Sequence, residues 1–374
     1  MINNMINIPF IKPELPEYKN FEDDFKSIIN SGMLSKGEYL KIYETDIKQY
    51  LNAENVVAVS SGTMGLILTL EAFGIGPGDE VIVPSFTFCA TAHAIIKVGA
   101  TPVFADCRED TFNIDIKKIK YLITKNTKAI LAVHIFGVPA DVYELEKIGK
   151  EYDIKIIYDS AHAMGSKFDD IHIGNFGDAE IFSTSPTKTL VTGEGGLVVT
   201  KHKKIAEFLI IAREYGNSGD YDCKFIGVNG RLSENAALIG LKSLSILDET
   251  LNKRVNVAKK YIRLLSKIPG VTLQYIPDNI TSTYKDISIL INKDIFGCSR
   301  DELVEYLTKQ GIPTRNYFSP CLHKMSCYAQ YHHLVLPITE KISNTIISLP
   351  MFASIKDEQM EYIVDTIEKA RKDY

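Results

Sequence analysis

The chain has 374 residues, which is too long for one small domain and suits a large domain followed by a smaller one. Its apolar fraction of 45% and its charged fraction of 24% are those of an ordinary soluble globular protein. The formal net charge of −5, without a block of lysine or arginine, gives no reason to expect nucleic-acid binding.

The sequence shows no pattern typical of a targeting segment or of paired cysteines. No apolar run approaches the ~20 residues of a membrane span, and residues 1–18 lack the basic and apolar regions of a signal peptide. The six cysteines are scattered and form no C-x-x-C pair, so we expect neither a zinc site nor a disulfide framework. These features predict a reduced, cytoplasmic protein that does not associate with a membrane.

Residues 1–50 mix polar and apolar positions at helical spacing, which predicts an N-terminal arm and two helices. Short β-rich runs then alternate with amphipathic segments. The predicted strands are 56–59, 81–83, 102–105, 129–133, 155–158, 179–182 and 197–200. The predicted helices between most of them are 64–73, 90–98, 114–123 and 142–152.

This alternation predicts an α/β fold in which helices cover both faces of a mostly parallel, seven-stranded sheet. The short, glycine-punctuated connection at 192–196 is the exception, and it predicts one antiparallel neighbour. Beyond residue 200 the pattern becomes helical, and from Gly270 helical and strand-like runs alternate. We therefore predict an N-terminal arm and large domain at 1–249 and a small α+β domain at 250–374.

Two segments at the ends of early strands have the composition of a binding site. The first strand runs into 60–63 (SSGT), where small residues and a helix N-terminus could hold a phosphate. This segment matches neither a Walker loop nor G-x-G-x-x-G, and Ser and Thr are also ordinary helix caps. Phe88 follows the second strand and could stack on a flat ring, although such aromatics more often belong to the core.

An acid and a lysine each follow a predicted strand: Asp159 after 155–158, and Lys188 after 179–182. Ligands of α/β sheets collect at the carboxyl ends of strands. Pyridoxal phosphate (PLP) uses such a pair, because a lysine forms a Schiff base with its aldehyde while an acid keeps its ring nitrogen protonated. The lysine must be desolvated or lie near positive charge to be unprotonated. Taken alone, the pair is also compatible with solvated loop charges.

Seven segments, in this order, resemble the sugar-nucleotide aminotransferases of the DegT/StrS type, which are PLP-dependent enzymes of fold type I. The resemblance extends over nearly the whole chain. They are 60–66 (SSGTMGL), 74–88 (GIGPGDEVIVPSFTF), 99–107 (GATPVFADC), 159–165 (DSAHAMG), 185–196 (SPTKTLVTGEGG), 227–238 (GVNGRLSENAAL) and the segment from Tyr317 to His323.

The resemblance implies a role for each residue around the cofactor ring. Lys188 matches the Schiff-base lysine, and Asp159 matches the partner of the pyridine nitrogen. Phe88 matches the aromatic residue that stacks on the ring. His162 stands where the family has Gln or His near the phenolic oxygen of PLP.

The resemblance also implies a phosphate site that two subunits share. Gly62, Thr63 and Met64 match the phosphate-binding start of the first helix of the large domain, and Ser183 matches a further phosphate ligand. Asn229 matches an asparagine that reaches the phosphate of the neighbouring subunit. We therefore expect a homodimer with shared active sites.

Four residues match positions near the substrate: Arg231, Arg315, Tyr317 and His323. The chain departs from the family at Gly230, where an aromatic residue is common, and such a change could alter the fit of the substrate. The lysine itself is present, which argues against the dehydratase branch of the family, because that branch carries histidine at this position.

The resemblance implies an aminotransferase that takes nitrogen from an amino donor, L-glutamate, through pyridoxamine phosphate to a nucleotide-linked keto-deoxysugar. Segment 192–196 (TGEGG) resembles the members that aminate C4, which favours a 4-keto sugar. Such amino sugars feed O-antigen, lipopolysaccharide, other glycan or antibiotic pathways. The alternatives are a 3-keto sugar aminotransferase, a sugar dehydratase, a non-catalytic regulator and a Rossmann-type oxidoreductase. The regulator would be expected to lose Lys188 or Asp159, and the oxidoreductase needs a dinucleotide loop that 60–66 does not supply.

Overall fold

The computed structural model describes residues 8–373, so the first seven residues of the predicted arm lie outside the described part. Most helices alternate with strands along the chain. They are α1 (Glu22–Ser31), α2 (Glu38–Leu51), α3 (Gly62–Ala72), α4 (Cys89–Lys97), α5 (Ile116–Ile119), α6 (Val142–Tyr152), α7 (Lys203–Ala212), α8 (Glu234–Leu244), α9 (Leu247–Leu265), α10 (Lys293–Phe296), α11 (Arg300–Lys309), α12 (Pro337–Thr345) and α13 (Asp357–Asp373).

The strands form three sheets. They are β1 (Asn55–Val59), β2 (Glu80–Pro84), β3 (Thr101–Ala105), β4 (Thr127–Val133), β5 (Lys155–Asp159), β6 (Lys167–Phe168), β7 (Ile171–His172), β8 (Ala179–Ser183), β9 (Gly196–Thr200), β10 (Val271–Leu273), β11 (Ile280–Thr281), β12 (Ile287–Ile291) and β13 (Ile346–Leu349). All seven predicted strands of the large sheet are confirmed.

The large sheet has the order β1-β9-β8-β5-β4-β2-β3. Only β9 runs against its neighbours, β1 and β8, as the short connection at 192–196 predicts. The remaining pairs are parallel. Two separate apolar clusters pack on the two faces of this sheet. As a result, the carboxyl ends of β2, β4, β5 and β8 point to one edge, where ligands of such sheets bind.

The predicted helix at 114–123 is much shorter in the structure, where α5 is a single turn. Ile114 pairs with Cys107 in an isolated β-bridge, which holds the chain extended before the turn. Asp115 then caps the turn by accepting the N–H of Lys117. The apolar spacing therefore predicts too long a helix, because the first residues of the predicted segment form a β-bridge instead.

The C-terminal part has its own sheet, the antiparallel β10-β12-β13, and its own apolar cluster with α9, α11 and α13. A capping box between Ser299 and Glu302 begins α11. Helix α9 continues through the predicted boundary at 249/250, so that boundary stays a prediction. Across residues 8–373, no helix combines the length and apolar character that crossing a membrane requires.

A buried carboxylate joins α2 to α8. The Glu234 side chain is 2% exposed and accepts hydrogen bonds from the N–H groups of Gly37 (2.9 Å), Tyr39 (2.9 Å) and Leu40 (3.2 Å). These donors belong to the first turn of α2, where an α-helix has no internal acceptors and favours negative charge. One side chain from α8 therefore caps a helix nearly 200 residues away in the sequence.

We predict that Glu234→Ala lowers the free energy of unfolding by about 1–3 kcal/mol, because it leaves buried N–H donors of α2 without an acceptor. The midpoint of urea unfolding measures the change. Glu305→Ala, which removes an exposed carboxylate from α11, is the control and should change stability by no more than about 0.5 kcal/mol. Equal midpoints for the two variants would contradict the capping role.

Candidate active site

A cavity of about 380 Å³ lies at the carboxyl ends of β4, β5 and β8, beside the N-termini of α3 and α4. This volume is within the range of small-molecule sites. Eight of the residues predicted from the sequence line it: Gly62, Thr63, Phe88, Asp159, His162, Ser183, Lys188 and Tyr317. The structure thus brings together side chains from five separate segments of the chain.

The anion-binding part of the cavity is the start of α3. Ser61 caps this helix by accepting the N–H of Met64 (3.1 Å), and the N–H groups of the first turn have no acceptor within the helix. Gly196 of β9 packs against the peptide between Ser61 and Gly62, and a Cβ there would lie 2.6 Å from the Gly62 nitrogen. A glycine is therefore required for β9 to pass so close to this helix end.

Asp159 ends β5 and is 6% exposed. Its carboxylate accepts the hydroxyl of Thr91 (2.8 Å) and the N–H of Ala161 (3.1 Å). Burial raises the pKa of Asp159, and these two hydrogen bonds only partly oppose that effect. A buried carboxylate of this kind is stabilised by a cationic partner, which a protonated pyridine nitrogen provides.

His162 follows Asp159 and is oriented by the backbone. Its Nδ1 accepts the N–H of Phe136 (3.2 Å), so the neutral ring carries its proton on Nε2. Burial, together with the charges of Lys188 and Lys285, holds the pKa of His162 well below its usual value. The ring is therefore a neutral hydrogen-bond donor.

Lys188 lies in the turn after β8, where its N–H donates to the carbonyl of Ser185 (3.0 Å). Burial, and to a smaller extent the charge of Lys285, lower the pKa of Lys188 to about 8 against the opposing charge of Asp159. Desolvation and a nearby cation are the two conditions under which a lysine amine becomes a nucleophile near neutral pH.

Two aromatic side chains complete the walls. Phe88 caps α4 and is 55% exposed, so a face of its ring is open to the cavity that it lines. Phe318 packs near it, with ring centroids 6.4 Å apart, and stacks on His162 at 6.3 Å. Tyr317 lines the same cavity from the C-terminal part of the chain.

Three of the predicted residues lie outside this cavity but near the same face. Met64 is half-buried in the first turn of α3, and Asn229 is exposed, with its backbone paired to Glu214. Arg231 donates to the carboxylate of Glu214 (3.1 Å), and its guanidinium lies 5.4 Å from the ring centroid of Tyr215. This arginine lines a separate, open cavity of about 520 Å³.

Arg315 and His323 belong to the same C-terminal segment as Tyr317, but neither lines the cavity of Lys188. The guanidinium of Arg315 lies 5.1 Å from the ring centroid of Phe10. His323 is fully buried, with Nδ1 2.7 Å from the hydroxyl of Ser85 and Nε2 3.1 Å from the carboxylate of Glu340. Both ring nitrogens of His323 are therefore engaged within the protein.

Sequence reasoning missed Thr91, Lys285 and Asp286. Thr91 stands in the first turn of α4, and only its contact with Asp159 distinguishes it from any other helical threonine. Lys285 and Asp286 line the cavity although they directly precede a fully buried strand, β12. Two charges at the start of an apolar strand are the signal that could have identified them.

Another cavity, of about 490 Å³, lies between α5, α6 and the segment around Tyr275. It contains paired opposite charges such as Lys120 and Glu151, whose charged atoms are 2.7 Å apart. This charge pair is solvent-exposed, whereas the cavity around Lys188 lies at the carboxyl ends of the large sheet and contains buried Asp159. The cavity around Lys188 is therefore the candidate active site. Residues 8–373 hold no cluster of three or more His, Cys, Asp or Glu that could bind a metal.

The residues in the cavity fit PLP. The unpaired N–H groups at the start of α3 suit its phosphate, the exposed face of Phe88 suits its ring, and buried Asp159 suits its ring nitrogen. Lys188 supplies the amine that its aldehyde requires. These groups surround one volume from different sides, as a single flat phosphorylated ligand requires.

Comparisons with known proteins agree with this fit. The family model described as the DegT/DnrJ/EryC1/StrS aminotransferase family matches residues 17–368. The chain is 35% identical over 370 residues to a pleiotropic regulatory protein of Geobacillus stearothermophilus, with 97% of this chain and 98% of that protein covered. It is 33% identical over 378 residues to the GDP-perosamine synthase of Escherichia coli O157:H7, with 98% and 99% covered.

A solved structure also matches over nearly its full length. It is a Streptococcus pneumoniae protein described as a candidate sugar aminotransferase and solved in a PLP form and a PMP form. The PLP form has a TM-score of 0.90 and 25% identity, with 98% of this chain and 99% of that chain covered. The expected fold type and cofactor are thereby confirmed.

We predict that the amine of Lys188 in the PLP-free protein reacts with acetic anhydride with a half-maximal rate near pH 8. The reactive, unprotonated fraction grows as the pH rises through the pKa of about 8. Mass spectrometry of the Lys188 peptide across a pH series measures this profile. The same peptide in urea is the control, and its midpoint should move up to the ordinary lysine range of about 10.4. Identical midpoints in the two states would show that the fold does not lower this pKa.

Proposed function

The chain belongs to the DegT/DnrJ/EryC1/StrS aminotransferase family and is a PLP-dependent aminotransferase, and we propose that it transfers nitrogen from L-glutamate to a nucleotide-linked 4-keto-deoxysugar. The observation that carries this proposal is the buried Lys188, with a pKa near 8, in one cavity with Asp159. An amine of this pKa changes protonation state close to neutral pH, as a general acid and base must.

PLP, when bound, withdraws electrons from the α-carbon of the amino donor and so makes its proton acidic. The Nζ atom of Lys188 takes that proton and returns it to a different carbon, in the glutamate half of the reaction and again in the sugar half. The Asp159 carboxylate, held by Thr91 and Ala161, keeps a positive charge on the ring nitrogen. The low exposure of Asp159 strengthens this interaction, because little water screens it.

The remaining groups of the cavity orient the cofactor in this proposal. Nε2 of His162 donates to its phenolic oxygen, and Phe88 lies against its ring. Gly62 and Thr63 hold the phosphate through the start of α3, and Ser183 adds a hydroxyl. Met64 belongs to the same first turn, where its N–H donates to Ser61 and so fixes the start of the helix.

A second subunit completes the phosphate site in our proposal. Asn229 is exposed and would reach the phosphate held by the neighbouring subunit. Apolar side chains close to it in the chain are strongly exposed, with Ile226 at 98% and Tyr221 at 95%. Exposed apolar side chains of this kind favour burial against another protein surface, which supports a homodimer.

The substrate side of the site is proposed from the loops around it. Tyr317 lines the cavity and would contact the sugar directly. Arg231, in its open cavity, is suited to a phosphate or another anionic group of the nucleotide. Arg315 and His323 would support the segment that carries Tyr317, since His323 is fully buried by its contacts with Ser85 and Glu340.

The 4-keto position rests on the segment 192–196 (TGEGG), and the nucleotide sugar is supported by similarity to a GDP-perosamine synthase. A 3-keto sugar is the alternative substrate. A dehydratase of this family is disfavoured by Lys188, and a purely regulatory role is disfavoured by the retention of both Lys188 and Asp159. The products would feed glycans such as O-antigen and lipopolysaccharide.

We predict that the purified protein with PLP shows a yellow absorption band that excess L-glutamate bleaches. Lys188→Ala should lack both the covalent band and the bleaching, because Lys285, the other lysine among the described cavity residues, is held in an ion pair with Asp286. Visible absorption spectra before and after glutamate measure this.

The bleached protein is then mixed with GDP- and dTDP-linked 4-keto and 3-keto deoxysugars, one at a time. Return of the yellow band with a 4-keto sugar identifies the substrate, whereas return only with a 3-keto sugar would overturn the assigned carbon. A wild-type protein that binds PLP but ignores glutamate would require another donor.

A further inference from the structure

A second lysine and its carboxylate partner lie inside the active-site cavity. Lys285 is 4% exposed and Asp286 is 5% exposed, and both line the cavity of Lys188. Nζ of Lys285 lies 3.0 and 3.1 Å from the two oxygens of Asp286. Lysine is rarely this buried, and a buried charge is tolerated where a partner or a ligand needs it.

Hydrogen bonds to other segments fix the backbone that carries Lys285 and Asp286. The guanidinium of Arg254, on α9, donates to the carbonyls of Thr283 (3.3 Å), Tyr284 (2.7 Å) and Lys285 (2.8 Å). The N–H of Lys285 also donates to the carbonyl of Phe136 (3.0 Å). Arg254 is itself 4% exposed, so these contacts are shielded from water. The fold thus presents Lys285 to the cavity in a fixed position.

The charge states of the neighbouring side chains indicate which role Lys285 can have. Among the described residues that line the cavity, the lysines are Lys188 and Lys285, and no arginine is present. Lys188 must lose its proton to act, and His162 is neutral because burial and two nearby lysines lower its pKa. Lys285 is therefore the cation that this chain offers to a negative group of the amino donor.

We propose that Lys285 binds the amino donor: its ammonium group leaves Asp286 and binds the α-carboxylate of the donor. The inference rests on the proposed aminotransferase function. In the free enzyme, the carboxylate of Asp286 is paired with the ammonium group of Lys285. The carboxylate of the donor, which carries the same charge, replaces Asp286 as the partner of Lys285. The exchange keeps Lys285 paired, and the Asp286 carboxylate that it leaves still interacts with the buried charge of Arg254.

The position of Lys285 favours a carboxylate over the diphosphate of a nucleotide sugar. The α-carboxylate is attached to the very carbon that Lys188 deprotonates, so it must lie close to Lys188. In a nucleotide sugar, the pyranose ring separates the reacting carbon from the diphosphate. Lys285 and Lys188 line one cavity of about 380 Å³, so a single small amino acid can contact both side chains.

The test uses the PLP-loaded protein and single turnovers over a series of L-glutamate concentrations. Lys285→Gln should raise the apparent Kd for glutamate by about 10- to 100-fold, the loss expected for a charged hydrogen-bond partner. Calorimetric titration with glutarate, a dicarboxylate that cannot react, gives a second readout that does not depend on turnover. Glutarate binding should weaken in parallel.

Asp286→Asn and the double variant separate this role from that of a structural ion pair. If Lys285 binds the donor, Asp286→Asn keeps the apparent Kd within about 3-fold of wild type, and the double variant stays as weak as Lys285→Gln. If the pair is only structural, both single variants weaken binding alike and the double variant recovers, which would overturn the proposal.

Lys147→Gln, at an exposed lysine on α6, is the matched control and should bind glutamate as wild type does. Equal PLP content and equal melting temperature in every variant confirm that each one is folded. Wild-type protein that ignores glutamate and glutarate would overturn the proposed donor and this inference with it. Wild-type protein that reacts, together with an unchanged Kd in Lys285→Gln, would overturn this inference alone.

Discussion

The desolvation of the Lys188 amine is the constraint on which the rest of this site depends. In water a lysine amine is protonated at neutral pH and cannot attack an aldehyde or accept a proton. Burial lowers its pKa to about 8, and the charge of Lys285 acts in the same direction. The same low dielectric raises the pKa of Asp159, so the site holds one base and one acid whose charged forms both need partners.

The topology of the sheet satisfies this constraint by placing β5 beside β8. Asp159 pairs in register with Ile181, so the acid and the lysine leave neighbouring strand ends although 28 residues separate them in the sequence. The intervening segment is anchored by Glu180, which is fully buried and accepts the N–H groups of Gly174 (2.7 Å) and Phe176 (2.9 Å). A rigid scaffold of this kind suits the close tolerances that catalysis requires.

Chemistry and selectivity are carried by different parts of the chain. Most residues proposed for the cofactor stand at strand ends and helix starts of the large domain. Tyr317, Lys285 and Asp286 come instead from the C-terminal part, which forms the opposite wall of the cavity. Substitutions of Lys285 or Asp286 also change the charge that acts on the pKa of Lys188, so this wall is coupled to the base.

The sequence alone was enough to predict the seven strands of the sheet, the antiparallel β9 and the position of Asp159 and Lys188 after neighbouring strands. These features can be predicted because each depends on residues that are close together in the sequence. The tertiary structure alone decided that Thr91 contacts Asp159, that His323 is sealed in the interior, and that Lys285 shares the cavity of Lys188. These outcomes depend on contacts between distant segments, which set both burial and charge environment, and no local pattern contains that information.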